Sequence, residues 1–238
     1  MKKKNKTKPK KLKLENANWT FNKKLVKHFD EHIQNSIPLY NWTHILGLRI
    51  SDFFLPNHSK MIDLGCSTGT FINALNERHK NKKINFIGVD EQQSMIKFAK
   101  KNNKNSIKFL NENILKTNLN NSNLITSFYT IQFIHPSLRQ KLFNKIFKSL
   151  NWGGGFLFFE KVRAPDARFQ DMMSQIYLEY KEDRNFSAKE ILDKSKSLKG
   201  VMEPFSSRAN LQLIKRAGFK DYMTVFKFLC FEGFLAIK

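Results

Sequence analysis

Apolar runs and amphipathic stretches alternate along this chain at regular intervals. Residues 60–64 form a short apolar run, followed by the turn-like Gly65-Cys-Ser-Thr-Gly69 and a helically spaced stretch through Phe71 and Leu75 to Arg78. Residues 84–90, 107–110, 123–130 and 156–159 are further runs, each continuously apolar rather than alternating. Helical patterns separate them at 92–101 and 138–150, and the residue types of Asn151-Trp-Gly-Gly-Gly155 mark a turn that closes the second. A strand that is apolar on both sides must be covered on both sides, so these repeated βα units predict a parallel sheet between two helical layers. The last two runs, 220–229 and 232–237, are separated only by Cys230-Phe231 and can pair only as a hairpin. The expected fold is α/β: a seven-stranded, mostly parallel sheet ending in an antiparallel hairpin, with helices on both faces.

Two segments interrupt the alternation. Residues 19–55 carry helical patterns, first through Phe21, Leu25, Val26 and Phe29 and then from Tyr40 to Phe54, with Pro38 between them. Preceding the first strand, they can cover the C-terminal edge of the sheet, where ligands bind in such folds. Residues 166–199 hold two predicted helices where one connection would suffice, which places an insertion over the substrate side as a lid. The last helix, 206–217, stops at Gly218. Residues 1–15 are too charged to fold, so the chain divides into a disordered basic tail and one α/β domain over 16–238.

Composition adds a strong field. The 238 residues hold 42 Lys and Arg against 20 Asp and Glu, a formal net charge of +22 that favours polyanions. Eight lysines and no acid fall in the first 13 residues, so the tail is a candidate nucleic-acid arm as well as a solubilising segment. Cys66 and Cys230 lie far apart in apolar contexts and suggest neither a disulfide framework nor zinc. His28, His32 and His44 lack the carboxylate or Cys partners that a metal site requires, so no metal is expected. No apolar run approaches the roughly 18 residues of a membrane span, and no signal-peptide pattern is present, which predicts a cytoplasmic protein without membrane association.

The chemistry concentrates in Asp63-Leu-Gly65-Cys66-Ser67-Thr-Gly69. Strand, Gly-bearing turn and helix present backbone N–H groups to a nucleoside cofactor. Asp90 ends the second apolar run 25 positions after Gly65, with Glu91 beside it, where a carboxylate accepts hydrogen bonds from ribose hydroxyls. The glycine spacing is looser than G-x-G-x-x-G, which argues against a pyrophosphate. S-adenosyl-L-methionine (AdoMet), which has no phosphate, fits better than NAD. A Rossmann-like sheet finished by a hairpin is the architecture of class I AdoMet-dependent methyltransferases.

From about Trp19 onward the chain resembles the carboxy-S-adenosyl-L-methionine synthase family. The matching residues are Trp19-Thr-Phe21, Ile33-Gln34-x-Ser36-x-Pro38-x-Tyr40, Asp63-Leu-Gly-Cys-Ser67, Ile131-Gln-Phe133 with Pro136 and Arg139-Gln140, Gly153-Gly154, Glu160-Lys161 and Ala217-Gly218-Phe219. The resemblance implies a homodimer whose insertion reaches the neighbouring subunit's site, and a role in wobble-uridine modification of tRNA. It places Tyr40 near the methionyl end of the cofactor, Gly65 in the turn, Asp90 on the ribose, and Asn113-Ile114 beside the adenine in place of an Asp-Ile pair. Two positions depart from the family. Phe128 stands where relatives have Asn, and Ser195, between Lys194 and Lys196, where they have the Arg that pairs with the cofactor carboxylate. Lysine does not replace the bidentate fork of arginine.

Three functions follow as expectations. The first is an AdoMet-dependent methyltransferase acting on a small molecule, with Glu160, Tyr129 and His135 as candidate bases at the strand tips. The same residues also have structural readings, as an ion-pair partner, a core ring and a turn former. The alternative is the family reaction, in which prephenate loses carbon dioxide and the deprotonated sulfonium methyl captures it. There the anionic substrate would be held by Arg163, Arg168 or the Lys194/Lys196 pair, with Ser195, Lys196 and Arg163 in or near the lid. The third is a non-catalytic AdoMet- and RNA-binding protein using the basic tail.

Overall fold

The computed structural model describes Val26, residues 28–103 and residues 106–238. The basic tail, Trp19-Thr-Phe21 and the helical positions Phe21 and Leu25 lie outside the described residues. Helices α1 (Phe29–Ser36) and α2 (Tyr40–Ser51) precede β1 (Lys60–Leu64), α3 (Thr70–Arg78), β2 (Asn85–Asp90), α4 (Gln93–Asn102) and β3 (Ile107–Asn111). They are followed by β4 (Ser122–Phe128), a 3-10 turn (Ile131–Phe133), α5 (Pro136–Ser149) and β5 (Leu150–Lys161). Helices α6 (Ala167–Asp183), α7 (Ala188–Ser197) and α8 (Ser207–Ala217) then lead to β6 (Asp221–Phe228) and β7 (Phe231–Ile237).

The strands form one seven-stranded sheet in the order β3-β2-β1-β4-β5-β7-β6. The first five are mutually parallel, and β7 runs antiparallel to both β5 and β6. Period-2 side-chain direction splits each buried strand between two cores. Met61, Leu157 and Phe159 face the layer holding Phe71, Ile72 and Leu75, whereas Ile62, Phe156 and Phe158 face Leu142, Phe143 and Ile214. The order reverses between β1 and β4, so their C-terminal ends open a crevice. Among the described residues no helix is long and apolar enough to cross a membrane.

Three local expectations need correcting. Residues 151–155 are no turn, because β5 already begins at Leu150, paired with Ser122. A register shift between Ser122 and Leu124 absorbs the extra length, Gly153 takes φ +73°, and its N–H donates to the Lys238 carbonyl at 2.7 Å. Strand β4 stops at Phe128 rather than 130: Tyr129 turns to φ +56° and the 3-10 turn follows. Helix α5 starts earlier than its apolar spacing suggests, with Pro136 in its first turn and His135 as N-cap.

Candidate active site

The cradle is built where β1, β2 and β4 end. Gly65 takes φ +75°, and a Cβ there would lie 2.1 Å from Thr130 Oγ1, so the β1–α3 turn and the exit of β4 close on each other only because this residue has no side chain. The N–H groups of Gly65 and Cys66 donate to the Val89 carbonyl at 2.8 and 3.0 Å, tying the turn to β2. Asp90 Oδ2 accepts from the Ser67 N–H at 3.0 Å and Oδ1 from the Gln92 N–H at 2.8 Å. Burial raises its carboxyl above the ordinary value, against the pull of those two N–H groups. Each oxygen keeps a lone pair for a further donor. Across the cradle, Asn113 Nδ2 donates to Glu91 Oε2 at 3.1 Å, while its Oδ1 accepts from the Leu115 N–H.

Helices α1, α2, α6 and α7 contribute the remaining wall of a cavity of about 940 Å³. Tyr40, Asp63, Gly65, Cys66, Ser67, Asp90, Glu91, Asn113, Ile114 and Phe128 all line it, together with Tyr129, His135, Arg163, Ser195 and Lys196. Gly69 and Glu160 do not. Gly69 caps α3 at φ +80°, close to Asn103 and Phe109. Glu160 is buried behind the wall, where its two oxygens accept from the N–H groups of Ile131 and Gln132 at 2.9 and 2.7 Å and hold the 3-10 turn. Burial pushes its carboxyl up to about 8, opposed by these N–H groups and by Arg139.

Asp63, buried and pushed up to about 7 by desolvation, accepts from Thr126 Oγ1 at 2.7 Å. Tyr129 donates to Thr43 Oγ1 at 3.5 Å, and its ring lies 5.9 Å from that of Tyr40; burial raises both phenols. His135 is exposed, and its Nδ1 is engaged by the Ser137 hydroxyl at 2.7 Å. Phe128 completes an aromatic box, 4.3 Å from Phe71, 4.7 Å from Phe159 and 5.0 Å from His44. His44, sunk in that box, has its imidazole lowered to about 4 by burial.

A second chemical feature lies one ring away. Tyr177 packs on Phe231 at 5.4 Å, and Phe231 on Tyr129 at 5.9 Å. The amines of Lys161 and Lys181 sit 4.5 and 4.6 Å from the centre of the Tyr177 ring, whose hydroxyl donates to the Ser36 carbonyl at 2.8 Å. Lys194 reaches the same corner, 3.0 Å from Ser36 Oγ and 2.9 Å from His32 Nε2. Desolvation lowers all three amines, Lys181 to about 8 and Lys194 to about 7, and the neighbouring lysines lower these last two further. His32, lowered to about 3 by burial and by Lys194, is a neutral acceptor for that ammonium. Sequence reasoning missed Lys181 and Tyr177 as a pair, although four residues apart on α6 they share a face. It also missed Asp30, whose oxygens accept from the hydroxyls of Thr68 and Thr70 at 2.8 and 2.9 Å and fasten α1 to the glycine-bearing turn.

These residues fit AdoMet. The glycine-bearing turn at Gly65, the oriented Asp90 carboxylate and the fixed Asn113 would hold the turn side, ribose and adenine, and Tyr40 and Asp63 the methionyl end. Residues 55–218 match the family model described as a methyltransferase domain. The chain is 35% identical to the carboxy-S-adenosyl-L-methionine synthase of Nautilia profundicola, over 92% of this chain and 94% of that protein. Its identity to the synthase of Campylobacter hominis is 37%, over 92% and 94%. Human N-acetylserotonin methyltransferase, solved in complex with SAM, shares the fold at a TM-score of 0.61 and 18% identity, covering 91% of this chain and 56% of that one. A cradle shaped for AdoMet, a matching domain and relatives aligned over nearly their whole length converge: the chain is an AdoMet-dependent transferase belonging to the carboxy-S-adenosyl-L-methionine synthase family.

Proposed function

We propose that this enzyme is a carboxy-S-adenosyl-L-methionine synthase, with AdoMet and a small carboxylate donor, prephenate, as its substrates. The observation that carries this reading is Lys194, whose amine is enclosed in the cavity wall next to Ser195. A cofactor that gains a carboxylate needs a cation in an enclosed site, and Lys194 supplies one where the guanidinium of relatives is missing. Bound AdoMet supplies an activated methyl carbon on a sulfonium. The chain's own residues orient the reactants, and the α6–α7 lid keeps water from them.

Mass spectrometry of the cofactor after incubation of the protein with AdoMet and prephenate tests this directly. A gain of one carbon dioxide is expected. Methyl transfer to a small acceptor is the second reading, favoured by the apolar Phe128 at the tip of β4 and by the exposed hydroxyl of Ser195. Labelled methyl on an acceptor, with no carboxylated cofactor, would replace the first reading by the second. The family resemblance further supports a cytoplasmic homodimer serving wobble-uridine modification. Phe169, Met172 and Ile176, exposed along α6, are the surface on which a second subunit would pack.

A further inference from the structure

We propose that Lys161, Lys181 and Lys194 form one subsite around Tyr177 that binds the anionic groups of the second substrate and takes up protons from solvent as it fills. This deepens the proposed function and rests on it only in naming the occupant. The three amines come from β5, α6 and α7, and converge on a corner of the cavity floored by Tyr177 and Ser36. Among the described residues neither Lys161 nor Lys181 forms an ion pair, so their charge is compensated by the face of one phenol ring. Such a ring is a weak counter-charge beside a carboxylate.

The groups facing this corner are few. Helix α1 offers His32, which is neutral, and α2 offers Tyr40. Arg163 follows β5, and the β6–β7 turn contributes the Cys230 thiol, which burial raises. Helix α6 adds Tyr177 and Tyr180, the latter under Arg184, and α7 adds Lys196. Cations therefore predominate. With the site empty, burial holds the three amines below the ordinary lysine range, and repulsion from the neighbouring lysines adds to it at Lys181 and Lys194, so near neutral pH part of the cluster is uncharged. An entering carboxylate favours the charged forms and draws protons in. Anion affinity then falls as pH rises through about 7 to 9, by up to about tenfold per unit for each linked proton.

The test uses the full chain saturated with S-adenosylhomocysteine, so that no turnover occurs. Isophthalate is the anionic probe and isophthalamide its neutral counterpart. Calorimetry in two buffers of different ionisation enthalpy should show net proton uptake with isophthalate, and affinity at least about tenfold weaker at pH 9 than at pH 7. Isophthalate stays fully ionised throughout, so that change belongs to the protein. Lys161→Met and Lys181→Met, which keep the apolar stems, should each weaken isophthalate about tenfold or more at pH 7 and leave S-adenosylhomocysteine affinity within about twofold. Binding without proton uptake, or no preference over isophthalamide, overturns the proposal, and both are read on the wild type even if a variant fails to fold. Carboxyl transfer without proton-linked anion binding would sink the subsite alone. Proton-linked binding without carboxyl transfer would sink the synthase reading and leave the subsite standing.

Discussion

Glu160 ends β5, where a carboxylate invites a catalytic role, yet both its oxygens are turned onto the backbone of the 3-10 turn. Its task is to hold Ile131 and Gln132 so that Tyr129, just before them, presents its ring to the cavity. The position is electrostatically unfavourable, since burial raises the carboxyl from an ordinary 4.5 to about 8. A raised folded value means that the stability Glu160 contributes is full below the unfolded value and is lost as pH climbs through the folded one. In Glu160→Gln that loss disappears. Urea melts of the two proteins at pH 5.5 and 8.5 should show the difference in stability moving toward the glutamine variant with rising pH, by at most about 1.4 kcal/mol per unit. A pH-independent difference would mean that the carboxyl does not titrate in this range.

At the scale of elements, α1 is a strap held across the cofactor turn by one side chain. Asp30 lies in its first turn, where a negative charge is favoured, and receives hydroxyls from Thr68 and Thr70. Asp30→Ala removes two charge-assisted bonds, each typically about 1.5–3 kcal/mol and at the low end here because Thr70 is exposed. The expected outcome is AdoMet dissociation at least about tenfold faster in stopped-flow. Unchanged dissociation would show that α1 does not retain the cofactor. This bond also marks what a sequence can disclose. Gly65, Ser67 and Asp90 were legible because a local turn and the next strand tip suffice to define them. The central strands β1, β2, β4 and β5 were legible because both their faces are buried. Asp30 and the true start of β5 were not, because each is decided by a distant partner, Thr68 and Ser122 respectively, and Lys181 was not, because its role depends on Lys161 and Lys194 meeting it from other elements. Trp152-Gly-Gly has the composition of a turn, and the bonds of Gly153 and Gly154 to Lys238, with Leu150 paired to Ser122, carry the strand through it.

For the whole molecule, the charge of +22 distinguishes AdoMet from the anionic donor proposed above. A field of that sign attracts an anionic donor from solution and gives no such help to a cofactor bearing a sulfonium. Its reach is set by salt, since the Debye length shrinks from about 10 Å at 0.1 M to about 3 Å at 1 M. Raising sodium chloride from 50 to 500 mM at fixed pH should therefore raise the KM for the anionic substrate several-fold, while AdoMet affinity stays constant or tightens. Sucrose at matched osmolality is the control and should leave both unchanged. Removing residues 1–13 takes away eight lysines and separates the sources of the effect. If the salt response survives the truncation, the field that matters is local to Lys161, Lys181 and Lys194 and the domain around them. If it vanishes, the tail is the collector. Equal salt responses for the two ligands would show that net charge plays no part in selecting between them.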